Sequence, residues 1–399
     1  IVKQYTLLTM KPLIYVANLG EEDLEDPMQN PYYVQVLDFA KEEGSDVVPI
    51  CAKIEAELVG MDKEEKDITI AVEDCGNINV FYRHGKTALK NTVYTNCTEL
   101  FEQYDILQAA EYNQMQSWML AKQYPKKAII YHGPYYTHFN KRYNLMCSVF
   151  DMFFLKRYLK LGTHFITKSK MAQEFLESKG IKRTNIGTVG VGMDTQMLSN
   201  SKEVCKEPLF LTMSQDKNLK LLYIGKFEKR RNIHFILDVF SQVINKKMNA
   251  TLYMIGTGDK DYIEDCWKYA ESKNIKNYIV YQEKMEQKYL AGVYGLADFF
   301  LLPTEYEIFG MVLLEAMYYH SVVLTTLNGG SSTLIDNNKN GFILTLNNAK
   351  EWADCIEKIS SDKNAMLNIC DMASRKIQEG FTWDKLADQF IEHYNKVLQ

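Results

Sequence analysis

No apolar run in this chain approaches the ~20 residues that span a bilayer, so no transmembrane helix is expected. Close cysteine pairs are missing as well. Cys51, Cys75, Cys97, Cys147, Cys205, Cys266, Cys355 and Cys370 stand singly, with no CxxC and no short Cys/His cluster. That spacing argues against a zinc site. In a chain this long it reads as reduced, mostly packed thiols of a cytosolic protein. Basic charge is not in excess either: 46 Lys+Arg against 51 Asp+Glu leave a net charge of −5. Broad binding to nucleic-acid phosphates needs a basic face and is not expected, although a small pocket for one phosphorylated ligand is compatible. A tandem repeat, a low-complexity tract and a signal-peptide pattern are all absent from the sequence. The chain opens on Ile1 rather than Met, so its true start is expected to lie upstream. What is present is 399 residues, 46% hydrophobic and 24% charged, the balance of a globular protein. At ~150 residues per domain that length gives two or three domains.

Strand and helix patterns alternate along the chain. Leu13–Ala17 and Asp46–Ile50 read as strands around a helix from Tyr32 to Lys41, a βαβ unit that favours a parallel sheet. Asn79–Tyr82 reads as a strand, Leu100 to Leu120 as helical, and Ala128–Tyr131 as a buried strand that ends in His132–Gly133–Pro134. A long aromatic-rich helix is expected from Leu145 to Leu161, then a strand at His164–Thr167 and a helix from about Lys170. Leu198 to Lys217 reads as a linker. Beyond it, strands at Lys220–Ile224, Thr251–Ile255, Tyr278–Tyr281, Phe299–Leu302 and Ser321–Thr325 alternate with helices up to a terminal helix, Trp383–Leu398. The expectation is an α/β chain of two Rossmann-like lobes joined near residue 200, with domains at 1–200, 201–380 and 381–399, the last packing back toward the first.

The stretch from Pro303 to Met317 carries the most chemistry. A strand that runs into a loop and then a helix makes a crevice at the carboxyl edge of a sheet. The free N–H groups and partial positive charge of the helix start suit a phosphate or a sugar hydroxyl. Gly310 would let the backbone approach a ligand. Glu307 and Glu315 are eight residues apart, so one ideal helix would turn them roughly 80° from each other. The better geometry puts Glu307 in the loop and Glu315 two turns into the helix, both facing the crevice.

Here the sequence resembles glycosyltransferase family 4, the retaining sugar transferases of GT-B fold, over about residues 67–399. The E-x7-E pattern stands as Glu307 to Glu315, with Phe309–Gly310 between them. Ile224–Gly225–Lys226–Phe227 with Arg230–Arg231–Asn232 resembles the donor-diphosphate segment, its two cations exchanged relative to the family's usual order. Gly256–Thr257–Gly258, Asn328–Gly329–Gly330, Asn340–Gly341, Phe381–Thr382–Trp383 and Gly192–Met193–Asp194 follow in the expected order. The resemblance implies a GT-B fold, two Rossmann-like lobes facing a cleft. It implies a nucleoside diphosphate sugar, UDP- or GDP-linked, as donor, a glycan, glycolipid or protein as acceptor, and no cofactor or metal. Glu307 and the backbone of Ile308, Phe309 and Gly310 would hold the donor sugar, and His132 would approach it from the other lobe. Glu315 would bond the ribose. Gly225 would lie in the donor loop, and Lys226 and Arg231 would neutralise the leaving diphosphate. Glu283 stands where the family often has Gly, which leaves the base open. Asp259–Lys260–Asp261 has DxD spacing but reads as a solvated loop.

Residues 9–66 resemble a different family, the YchF-type Obg-like ATPases, through Met10 to Glu21 and Ile50 to Leu58. Asn18 and Glu21 would fall in its base-reading motif and residues 51–53 in the following loop. A near match to the phosphate loop runs from Gly162 to Ser169, but Thr167 replaces its second Gly. Without that loop NTP hydrolysis is not expected. A fusion is the expectation, with only Gly20 available where the transferase lobe carries a Gly-rich loop. The rival readings are a non-catalytic nucleotide-binding or ribosome-associated module, or an inactive fusion. Tyr135, Tyr136 and His138 read equally as an acceptor pocket or as aromatic packing. Leu145 to Leu161, with Lys156, Arg157 and Lys160, reads as a core helix with snorkelling lysines; peripheral contact at the inner face of a membrane is the alternative.

Overall fold

The computed structural model describes residues 97–135, 141–195 and 207–398, together with six short strands and parts of a helix between residues 33 and 38. Gly20, Glu21, residues 51–53, Tyr136, His138 and the stretch 198–206 lie outside the described residues. The chain separates into two compact units, Ile1–Tyr104 and Asp105–Gln399. In the first, β1 (Ile14–Asn18) and β2 (Asp46–Ile50) pair in parallel with Ile14 opposite Asp46. That is the pairing a βαβ unit requires. β3 (Ala71–Asp74) and β4 (Asn79–Tyr82) form one antiparallel pair, β5 (Gly85–Ala88) and β6 (Asn91–Tyr94) another. Gly85–Lys86–Thr87 carries the tail of a phosphate-loop pattern, with Val80 in place of its first Gly. It lies in strand β5 rather than in a loop before a helix.

The second unit holds two parallel sheets. The first is ordered β10-β9-β8-β7 from β7 (Leu107–Ala110), β8 (Ala128–His132), β9 (His164–Thr167) and β10 (Ile186–Thr188). β7 corrects the sequence reading of Leu100–Leu120 as helical: along the chain a short helix α1 (Thr98–Glu102), which belongs to the first unit, is followed by the edge strand β7 and then by α2 (Met115–Gln123). Leu107–Gln108–Ala109–Ala110 is built from good helix formers, and pairing with β8 overrides that preference.

Helix α3 (Lys141–Phe150) runs through a π-turn at Asp151–Leu155 into α4 (Lys156–Leu161). Among the described side chains of this segment only Cys147, Phe150 and Tyr158 are buried, so the expected core helix packs along one face and leaves the other apolar face exposed. The near phosphate-loop match beyond it is ordinary structure. Gly162 ends α4 with φ +64, and the Ser169 hydroxyl caps α5 (Lys170–Ser178) by accepting from the Ala172 N–H.

Within the expected linker, Pro208 starts α6 (Pro208–Gln215), which buries Leu209 and Met213. The second sheet follows, ordered β13-β12-β11-β14-β15-β16 and parallel throughout. Its strands are β11 (Leu219–Ile224), β12 (Ala250–Ile255), β13 (Ile279–Gln282), β14 (Phe299–Leu302), β15 (Val322–Thr325) and β16 (Phe342–Ile343). Helices α7 (Ile233–Asn245), α8 (Lys260–Ser272), α9 (Gln287–Leu296), α10 (Met311–Tyr318), α11 (Ser331–Leu334), α12 (Ala349–Ser360) and α13 (Lys363–Gly380) cover it. Leu221, Leu222, Phe299, Phe300, Leu301 and Leu302 are fully buried, as strands covered on both faces must be. The strand order is that of a doubly wound sheet and reverses direction between β11 and β14.

The last helix, α14 (Trp383–Leu398), returns to the first sheet. Phe390 stacks edge-on against Tyr131 at 5.4 Å, and the Tyr394 hydroxyl bonds Gln108 Oε1 at 2.8 Å.

Candidate active site

In a doubly wound sheet the crevice opens beyond the strand ends on either side of the reversal. Here those ends are Gly225, after β11, and Pro303, after β14. The two loops are stitched together. The Glu305 N–H donates to Arg230 O at 3.0 Å, Asn232 Nδ2 to Pro303 O at 2.9 Å, and Arg230 Nη1 to Tyr306 O at 2.8 Å. Arg231 completes the join: its Nη1 lies 2.5 Å from Glu307 Oε2. Glu228 takes both guanidinium groups, from Arg230 at 2.7 Å and Arg231 at 3.7 Å. Arg230 and Glu228 were not singled out as site residues. Arg230 stood inside the quoted motif, but no spacing rule separated it from Arg231.

Beyond Glu307 the chain turns through Ile308 and Phe309 into Gly310, whose φ of +80 starts α10 from the left-handed region. Phe309 is buried and packs toward Phe381 at 6.3 Å. Gly329 and Gly330 lie flat on this turn. The Gly329 N–H donates to Glu307 O at 2.9 Å, and a Cβ on Gly330 would stand 1.6 Å from Phe309 O. Glu315 stands further on, inside α10. It is the fifth residue of α10, only 5% exposed, and accepts the Tyr294 hydroxyl at 2.8 Å. Burial pushes its carboxyl up to about 7, against the opposing effect of that hydrogen bond.

Lys226 stands apart from Arg231. It is exposed at the rim of a cavity of about 550 Å³ that Glu228, Lys229, Asp259 and Tyr262 also line. Neither Arg231 nor the Phe309–Gly310 turn lines that cavity, so Lys226 and Arg231 do not share this hollow. Beside it, Gly225 and Gly256 let the ends of β11 and β12 approach closely, since a Cβ on Gly256 would stand 1.8 Å from Gly225 O. Asp259 is the cap of α8 and accepts the Tyr262 N–H at 3.1 Å, which accounts for the DxD-like spacing. Among the described residues, no group of three His, Cys, Asp or Glu side chains is placed to hold a metal ion.

From the first sheet, Tyr135 reaches across to the same turn. Its hydroxyl donates to Glu307 O at 3.2 Å and accepts from Glu307 N at 3.4 Å, and its ring lies 4.6 Å from that of Tyr306. His132 is fully buried at the end of β8, stacked on Phe175 at 5.6 Å. Its Nδ1 lies 2.7 Å from Glu111 Oε2, and no polar group meets its Nε2. Glu111 was missed in the sequence. It follows the unrecognised strand β7, adopts φ +63, and also accepts the Gly133 N–H at 3.2 Å. Burial opposes its ionisation, but His132, Lys168 and the Gly133 N–H together hold its carboxyl below the usual range. The neighbour of His132, Gly133, approaches the donor loop: a Cβ there would stand 2.9 Å from the Ile308 side chain.

Residues 212–377 match the family model of glycosyl transferases group 1. That span begins in α6 and takes in every strand of the second sheet. An uncharacterized glycosyltransferase of Methanocaldococcus jannaschii is 26% identical over 187 residues, 46% of this chain and 47% of that protein. The ribosome-binding ATPase YchF of Haemophilus influenzae is 46% identical over 65 residues, 16% of this chain and 17% of the ATPase. The chain thus spans less than half the length of either relative. Among solved structures, a glycosyltransferase of Rickettsia africae superposes with a TM-score of 0.63 at 17% identity, over 97% of this chain and 98% of that one. Anabaena HepE in complex with UDP and glucose superposes with a TM-score of 0.60 at 13% identity, over 96% and 99%. The fold is GT-B, two parallel α/β lobes, as the resemblance implied.

Proposed function

We propose that this protein is a retaining glycosyltransferase that moves a hexose from a nucleoside diphosphate sugar to the hydroxyl of a glycan, glycolipid or protein. The observation that carries this reading is the meeting of Arg231 with Glu307, 2.5 Å apart, at the sheet reversal and directly before the helix that Gly310 opens. A cation, a sugar-binding carboxylate and the free N–H groups of a helix start suit the two halves of such a donor. Lys226, at its own cavity, would meet the diphosphate from the other side. In the reaction the bond from C1 to the β-phosphate oxygen breaks, and its electron pair leaves on the diphosphate. The acceptor oxygen bonds C1 from the same face, and its proton passes to the departing phosphate. Fixed cations at the leaving group stabilise the charge that develops there. The complex of HepE with UDP and glucose, on the same fold, supports a UDP-linked donor.

A thermal-shift panel of UDP-, GDP- and ADP-sugars tests this. At about 100 times Kd, one donor should raise Tm by roughly 5 °C. Lys226→Ala should remove most of that rise without moving the Tm of the free protein, because Lys226 is exposed. Absence of a shift with all three donors sinks the proposal. The match to YchF supports a second, narrower reading, in which a segment of ATPase ancestry is joined to the transferase. A shift with ATP alone would favour a nucleotide-binding module over the transferase.

A further inference from the structure

From α3 through the π-turn to α4, the exposed side of the molecule carries Leu145 at 66%, Val149 at 48%, Met152 at 67% and Phe153 at 61% exposure. Met146 and Leu159 add to the same strip at 39% and 42%. Leu145, Met146 and Val149 lie on α3 at i, i+1 and i+4, and Met152 and Phe153 follow on the π-turn, all of them exposed. An apolar face of this extent on a soluble surface marks an interaction site. Its charge is one-sided. Lys141, Lys156, Arg157 and Lys160 are exposed along the same segment, and Asp151 is its sole acid. Asp151 turns inward, accepts the Tyr112 hydroxyl at 3.1 Å and pairs with Lys179. The face therefore offers large apolar side chains and cations with no carboxylate among them.

We infer that this face docks on an anionic lipid surface. Leucine, methionine and phenylalanine side chains enter the boundary between headgroups and acyl chains, while the lysines and Arg157 meet lipid phosphates at its rim. The charge decides between occupants. A second copy of the chain would set these cations against their own equivalents across a two-fold interface, where like charges repel. A zwitterionic or neutral surface would leave them without a counter-charge. The helix lies parallel to the bilayer and does not cross it; among the described residues no helix is long and apolar enough to span a membrane. This inference concerns binding alone and stands whether or not the transfer reaction does.

Co-sedimentation with vesicles tests it. Vesicles of phosphatidylcholine with about a third phosphatidylglycerol should bind the protein, and vesicles of phosphatidylcholine alone should bind it at least tenfold more weakly. Raising the salt to about 1 M, where the screening length falls to ~3 Å, should release it. Lys156→Gln and Lys160→Gln should each weaken binding about fivefold. Met152→Ser with Phe153→Ser should abolish it while leaving Tm unchanged, since both side chains are already exposed. Equal binding to both vesicle types, or no binding to either, overturns the inference. So does a concentration-dependent dimer in analytical ultracentrifugation that the Met152/Phe153 double variant abolishes.

Discussion

Glu315 carries its charge at a cost that depends on pH. Its carboxyl is pushed from an ordinary 4.5 up to about 7 because it is buried beside Tyr294. Between those values the folded chain binds a proton that the unfolded chain has lost, so stability falls as pH rises from about 4.5 toward 7. Glu315→Gln keeps the volume and an oxygen for the Tyr294 hydroxyl but removes the titration. Urea denaturation should show the parent losing about 3 kcal/mol more than the variant between pH 4.5 and 7.5. The same burial makes Glu315→Ala a poor probe of ligand binding, because it opens a cavity as well as removing a contact.

At the scale of elements, the turn from Glu307 to Gly310 is held from three sides, by Arg231, by Tyr135 and by the Gly329–Gly330 loop. The glycine pair is the least replaceable of these. Gly330→Ala would place a methyl group 1.6 Å from Phe309 O, so either loop must move. We expect at least about 2 kcal/mol of lost stability in urea denaturation, and a weaker donor-induced rise in Tm than the parent shows. The second sheet was legible because β11, β12, β14 and β15 are largely apolar runs, β14 wholly so, and the Glu307–Gly310 turn follows β14 after four loop residues. β7 was not legible, since Ala109 and Ala110 say helix and only the neighbouring strand says otherwise. Glu111 went unnoticed with it. Lys226 and Arg231 were both found, but spacing along a chain could not say that one meets Glu307 while the other opens onto a separate cavity. The exposed strip on α3 and α4 was only half legible for a related reason. Periodicity locates an apolar face without saying which of two faces the rest of the molecule covers.

Across the whole second unit, α14 lies across the first sheet, from Gln108 in β7 to Gly187 in β10. His393 lies over Gly187, where a Cβ would come within 2.2 Å of its ring, and shares a small cavity with His164 and Lys396. Burial holds both histidines below their ordinary 6.5. Lys396 and His164 add to the effect on His393, and Glu392 opposes it. Below pH 6.5 the unfolded chain therefore binds more protons here, and stability falls as pH drops. Urea denaturation between pH 6.5 and 5.5 should show that fall reduced in the His164→Gln, His393→Gln double variant, measured against the parent at each pH. The effect has the opposite sign to that of Glu315, so the variants are needed to separate the two.

The chain passes between the lobes at Met193 and again at Thr382, and the two passages bond to each other: the Met193 N–H donates to Phe381 O at 2.8 Å and the Trp383 N–H to Met193 O at 3.3 Å. Two ropes tied side by side behave as one hinge. Any opening between Tyr135 and Glu307 that keeps both of these bonds is therefore a rotation about that seam, as a door turns on its hinge line.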